Sequence, residues 1–215
     1  LGLVSPYQID VWIADPAGPG EHCSEVERDR AAAHRDPAVA RRWLAARGFL
    51  RDVLGAALGS SPASVELVED PGGKPRVVGS PVEFSLSHAR DTVAVAVAAA
   101  DVGPVGVDLE LPRRLHRPER LARRLCPGPD YELWAAAAEP ERTGALLQRW
   151  TRIEALLKAT GEGIRGGITG AEARLCAGGW AVSDLVLPGG LFGAVAARGA
   201  DWQVVVRDQT QRNGT

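Results

Sequence analysis

Residues 150–164 read WTRIEALLKATGEGI. At the helical period this is the C-terminal half of a helix closed by a glycine-rich exit. Leu146, Trp150, Ile153 and Leu157 fall on one apolar stripe, a face that must pack against something. Glu154 sits on the shoulder of that stripe beside Trp150, and Lys158 follows one turn on. A carboxylate bordering a buried face is costly unless a cation or hydrogen-bond donors meet it. The plainer alternative is an exposed Glu–Lys pair at i,i+4, worth about 0.3–0.5 kcal/mol.

Lysine usage argues against the plain alternative. Of the 25 Lys and Arg residues, only Lys74 and Lys158 are lysine. An ammonium is a compact charge that can give up a proton, whereas a guanidinium is a planar fork that cannot. The two positions that depart from the arginine habit fall in GGKP (72–75) and one turn after Glu154. Both are candidates for proton transfer or close phosphate contact.

Outward from this stretch, the helix extends back to about residue 141. A second amphipathic helix spans 39–58, with Trp43, Ala46, Leu50, Val53, Leu54 and Ala57 on its apolar face. Arg47 lies at the edge of that face and Arg51 flanks it. Either both lay their stems on the core with their heads in water, or they meet an anionic ligand. Alternating strands are expected at 9–14 (an edge strand), 82–87, 93–99 and 105–110. On the last, Asp108 and Glu110 share a face roughly 7 Å apart, where they repel unless something positive lies between them.

A Pro/Arg-rich joint at 111–118 separates the halves. Helices at 119–125 and 131–138 follow, then a hairpin, 180–187 with 191–197, about a Pro-Gly-Gly turn, then a strand at 202–207. Residues 208–215 are expected to form a loose tail. Each half therefore runs long helix, then mainly antiparallel strands. The expected fold is α+β, with two similar halves, 1–110 and 111–207, related by a pseudo-twofold axis and a site at their seam.

Composition excludes several classes. Net charge is −2, so there is no global attraction to nucleic acid or to a membrane surface. Three cysteines (Cys23, Cys126, Cys176) match no metal-ligand spacing, and a reduced, cytoplasmic protein is expected. There is no Walker loop and no GxGxxG. Ser87 and His88 do not read as a nucleophile with its base, because adjacent strand residues face opposite ways. Asp108, Glu110 and Glu154 are oxygen ligands without His or Cys partners, a set suited to Mg²⁺. Arg47, Lys74 and Lys158 suit a phosphorylated substrate.

In order and spacing, GGKP, FSLSHA (84–89), VGVDLE (105–110) and WTRIEALLKATGEGI resemble the 4′-phosphopantetheinyl transferases of the surfactin-synthetase type. Their pattern is GKP, FNLSHS, GVDIE and WxxKEAxxKAxGxG. The resemblance implies transfer of the phosphopantetheine arm of coenzyme A to a serine of an apo acyl- or peptidyl-carrier protein by a monomer. The other product is adenosine 3′,5′-bisphosphate. By motif position, Asp108, Glu110 and Glu154 would hold Mg²⁺ on the pyrophosphate, and Lys158 would neutralise or protonate the leaving bisphosphate. Gly73, Lys74 and Pro75 would line the adenine side. Ser87 and His88 would contact the 3′-phosphate and pyrophosphate region, and Arg47 would grip the 3′-phosphate. Either Glu154 or a water on the ion would take the serine proton.

Three positions depart from the pattern: Ile153 stands for Lys, Ser85 for Asn, and Ala89 for Ser or Thr. Ile153 removes a positive charge beside Glu154, from which an altered rate is expected. Two other functions use the same residues: a catalytically weak coenzyme A binding module and a Mg²⁺-dependent nucleotide phosphohydrolase. Segment 113–125, with Leu121 and Leu125 among arginines, is either a docking helix for an acidic carrier or an ordinary amphipathic surface helix.

Overall fold

The computed structural model describes residues 7–70, 73–164 and 167–210. Gly72 of GGKP and residues 211–215 of the expected tail lie outside them. In chain order the elements are β1 (Gln8–Ala14), α1 (Glu25–Ala32), α2 (Pro37–Leu58), β2 (Leu67–Glu69), β3 (Pro75–Val77), β4 (Glu83–Ala89), β5 (Thr92–Ala98) and β6 (Val105–Glu110). Then come α3 (Pro118–Leu125), α4 (Pro129–Ala136), α5 (Glu141–Thr160), α6 (Ala171–Ala177), β7 (Trp180–Asp184), β8 (Phe192–Arg198) and β9 (Gln203–Asp208). The architecture is α+β, as the alternation of helical and strand periods implied.

The long helices begin and end where local chemistry directs. Asp36 caps α2 by accepting from the Ala38 amide, Pro37 opens the first turn, and Gly59 closes it at φ +65°. Gly161 ends α5 in the same left-handed conformation, φ +75°. The segment 25–32 went unread as a helix, although Ser24 and Glu27 form an S-x-x-E capping box.

One sheet has the order β4-β5-β1-β9 and another the order β6-β8-β7; β2 and β3 form a separate pair. The strand expected at an edge, β1, is interior, antiparallel to β5 and parallel to β9. The last strand, expected to complete the second half, lies instead in the first sheet. Conversely β6, counted with residues 1–110, pairs with β8 of the second half. The tail expected from 208 begins inside β9, and Thr210 is the last residue described. Pairing decides this: β1 is fully apolar at Ile9, Val11 and Ile13, and β9 covers its otherwise open edge.

Strand β5 explains how the layers stack. Val93, Val95 and Val97 face Leu50 and Leu54 of α2. Ala94, Ala96 and Ala98 face Val105, Val107 and Leu109 of β6 and Val195 of β8. Alanine on the second face lets the two sheets approach closely. The other face of β8, Ala194 and Ala196, packs on α5 through Leu146, Ile153 and Leu157.

Gly106 sets how closely α5 lies on β6. A Cβ there would stand 2.0 Å from the Ala155 carbonyl oxygen and 2.5 Å from the Ala159 nitrogen. Those atoms are helix backbone and cannot rotate aside. Gly106→Ala is therefore expected to lift α5, lowering stability by about 1–3 kcal/mol and separating Asp108 from Glu154. Denaturant melts with parallel activity assays check it. An unchanged midpoint would show that the contact is softer than drawn.

Candidate active site

Because α5 rests on β6 at Gly106, the acids and cations of two motifs share one seam. Lys158 Nζ donates to Asp108 Oδ1 at 2.8 Å, to the Val107 carbonyl at 3.0 Å and to the Leu86 carbonyl at 3.5 Å. These are the three hydrogens an ammonium has. Asp108 is buried and also accepts from Ser87 Oγ at 2.8 Å. Glu110 is paired with Arg113, at 3.2 Å to both Nε and Nη2.

Glu154 is the exception. Its Oε1 is buried and, among the described residues, has no hydrogen-bond partner. Burial pushes its carboxyl above the usual range, the Asp108 and Glu110 charges push the same way, and Lys158 opposes them. Among the described residues, no three His, Cys, Asp or Glu side chains are arranged to hold a metal ion. The partners explain it, since Asp108 is turned to Lys158 and Ser87, and Glu110 to Arg113. Nonetheless, an orphaned buried carboxylate that feels two others is the environment a divalent cation satisfies.

A cleft of about 370 Å³ opens beside Glu154. Arg47, Gly73, Lys74, Pro75, Glu154 and Lys158 line it, so six of the residues selected from sequence meet there. Gly161 and Gly163, the helix exit, form part of its wall with Ile164, and Arg30, Trp43, Glu69, Phe84, Ser85, Leu86 and Leu157 complete it. Gly73 has φ +82°, which a side chain would strain. Lys74 Nζ reaches the Val105 carbonyl at 3.1 Å and Glu83 at 3.9 Å. Burial pushes its pKa down against the pull of Glu83 and Asp70.

Asp108, Glu110, Ser87 and His88 are not among the cleft-lining residues. Ser87 is buried, its hydroxyl spent on Asp108 and on the Leu109 amide, which donates to it at 3.2 Å. Exposed His88 follows on the same strand; loss of solvent around its ring, then the Lys158 charge, push its pKa down, while Asp108 pulls it up.

Arg47 has a partner that the sequence reading missed. Its Nε donates to Glu27 Oε1 at 2.8 Å, and Arg51 Nε donates to Oε2 of the same carboxylate at 2.7 Å. Arg51 also donates to the carbonyls of Val65 (2.9 Å) and Pro62 (3.3 Å) and is only 4% exposed. It neither reaches water nor awaits a ligand; it is structural. Arg47 remains at the cleft, its guanidinium 5.5 Å from the Trp43 ring centroid, with Arg30 5.9 Å from that ring. Arg30 in turn pairs with Glu69. The S-x-x-E box was the available signal for Glu27, but its second role spans 20 residues and only folding reveals it.

Burial alone would raise the Glu27 pKa, but the Ser24 amide, Arg51 and Arg47 together hold it below the usual carboxylate range. A carboxyl depressed on folding contributes stability above its unfolded pKa and loses it as pH falls through the folded one. Glu27→Gln is therefore expected to lower stability at pH 7 by about 1–3 kcal/mol, and to blunt the loss on acidification below about pH 5. Urea melts at pH 7 and pH 4 measure both; equal acid sensitivity in the two proteins would refute the assignment.

The sequence matches the 4′-phosphopantetheinyl transferase superfamily over residues 104–184, from β6 through β7. It is 34% identical to 4′-phosphopantetheinyl transferase HetI of Nostoc sp. over 192 residues, covering 84% of this chain and 80% of that protein. It is 33% identical to 4′-phosphopantetheinyl transferase AcpT of Salmonella typhimurium over 55% of this chain and 58% of that one. It is 30% identical to 4′-phosphopantetheinyl transferase psf-1 of Bacillus pumilus over 73% and 66%.

Proposed function

The chain belongs to the 4′-phosphopantetheinyl transferases, and from that premise we propose how it moves the phosphopantetheine arm of coenzyme A onto a carrier-protein serine. The single observation carrying the proposal is the buried, unpartnered Glu154 Oε1 beside a cleft walled by Lys74, Arg47 and Lys158. Coenzyme A occupies that cleft. Its 3′-phosphate meets Arg47, held in place by Glu27 and Trp43, while its adenine end lies along Gly73, Lys74 and Pro75. Its pyrophosphate lies toward Glu154. The type is that of the surfactin-synthetase-activating enzymes, acting as a monomer in the cytoplasm on apo acyl- or peptidyl-carrier proteins.

Asp108, Glu110 and Glu154 would hold Mg²⁺. Bound there, the ion supplies positive charge to the pyrophosphate oxygens, where negative charge gathers as the bond to the leaving group lengthens. The remaining work belongs to the chain. Lys158 holds Asp108 and adds its field to the same end of the cleft. Because its hydrogens already go to protein acceptors, that field, rather than proton donation, is its contribution to the leaving bisphosphate. The serine oxygen forms its bond to phosphorus as the bond to the bisphosphate oxygen breaks. The serine proton passes to Glu154, the carboxylate that lines the cleft.

The carrier would approach over a groove next to α3, lined by Arg113, Arg117, Arg120 and Arg124 around Leu115, Leu121 and Trp150, a surface complementary to an acidic amphipathic helix. Leu125, also considered for docking, is buried in the core and takes no part.

The test is mass spectrometry of an apo carrier incubated with the protein, coenzyme A and Mg²⁺. The expected result is the added mass of one phosphopantetheine arm and equimolar adenosine 3′,5′-bisphosphate. Bisphosphate released without carrier would indicate a phosphohydrolase, and coenzyme A binding without any mass gain a binding module.

A further inference from the structure

The two sheets meet where β4 runs beside β6, and the join is not an ordinary ladder. Strand β4 pairs with β5, and β6 with β8. Between them, side chains stand where carbonyls would. Ser85 Oγ accepts from the Val107 amide at 3.0 Å and Ser87 Oγ from the Leu109 amide at 3.2 Å. The steps of two residues on both strands make this a parallel seam stitched by hydroxyls.

The two serines are alike in burial, each 5% exposed, and in accepting one β6 amide. Ser85 lines the cleft and Ser87 does not, and they differ again at the carboxylate. Ser87 also donates its proton to Asp108 Oδ1 at 2.8 Å, the same oxygen that Lys158 binds at 2.8 Å. Two donors on one oxygen fix the carboxylate's rotation. Among the described residues no hydrogen bond reaches Oδ2, so that oxygen is the one left to face a cation.

We propose that Ser87 is a positioning residue that aims Asp108, and not a contact to coenzyme A. The inference rests on reading Asp108 as a metal-holding carboxylate. Ser85, which shares the seam but not the carboxylate, is the internal control. Partners that orient a metal-ligating side chain change metal affinity about 10–100-fold when removed.

The experiment uses the full chain without substrates, and measures the Mg²⁺ concentration that gives half of the maximal thermal stabilisation. Ser87→Ala is expected to raise it about tenfold or more, and Ser85→Ala by less than about twofold, although both lose one amide acceptor. Ser87→Thr, which keeps the hydroxyl, is expected to restore the wild-type value. Metal-free coenzyme A binding, followed by calorimetry, should be unchanged in Ser87→Ala. If that variant does not fold, Ser87→Cys keeps the volume with a far weaker donor and should shift the Mg²⁺ dependence in the same direction. Equal shifts in the Ser85 and Ser87 variants, or weakened metal-free coenzyme A binding by Ser87→Ala, would overturn this inference alone. A wild-type protein that Mg²⁺ does not stabilise would overturn the metal reading of Asp108, and this inference with it.

Discussion

Glu154→Gln is expected to lower kcat/KM for carrier loading by about 10²–10³-fold or more while leaving the metal-free protein as stable as wild type or more so. The two effects have one cause. Glutamine keeps the size and one oxygen of glutamate, so packing on α5 is undisturbed. What disappears is a negative charge that is half-buried, unpartnered at Oε1 and repelled by Asp108 and Glu110. In the free protein that charge is a liability; at the pyrophosphate it supports both cation binding and proton removal. A site that sacrifices stability for function shows opposite signs in the two measurements. Scanning calorimetry of the metal-free proteins, with single-turnover carrier loading, supplies both. If Glu154→Gln retained more than about a tenth of the activity, Glu154 could not occupy the centre of the chemistry.

The second large effect concerns Ile153. From sequence it stands where related proteins carry lysine, so a lysine there would be expected to restore charge beside Glu154. The tertiary structure gives another answer. Ile153 is 1% exposed and packs with Leu146, Leu157 and Ala196 in the core of the second half. It is not among the residues lining the cleft. Ile153→Lys would place an ammonium among these apolar groups and is expected to destabilise the protein by about 3–5 kcal/mol. Ile153→Leu, a volume-conserving change, should cost less than about 1.5 kcal/mol. Chemical denaturation of both variants, with activity normalised to folded protein, decides it. A stable Ile153→Lys protein with faster turnover would mean that this face of α5 reaches the coenzyme after all.

Much of the site was legible because its signals are local. Glu154 and Lys158 were found by their position on a helix face and by the scarcity of lysine. Asp108 and Glu110 were found by alternation along β6, whose bounds agree with the sequence reading. Glu27 was not found. Its capping box lies within four residues, but its bonds to Arg47 and Arg51 join separate helices. Ser87 was assigned to the ligand by its position in the FSLSHA motif, as the family resemblance implies. Which way its hydroxyl turns depends on Asp108 and Leu109 of β6, 21 and 22 residues further on, and that strand takes it up.

By itself, then, the sequence determined the α+β class, the long helices with their caps, the strand of paired acids and the set of charged residues on which function depends. All follow from periodicities of 2 and 3.6 residues and from side-chain chemistry, which act over a few residues. Only the tertiary structure decided the exchange of β6 and β9 between sheets, the burial of Ile153, the pairing of Arg47 with Glu27 and the turning of Ser87 toward Asp108. Those depend on which distant surfaces exclude water from one another, and on the close approach of α5 to β6 at Gly106, where a hydrogen atom is the largest group the helix backbone admits.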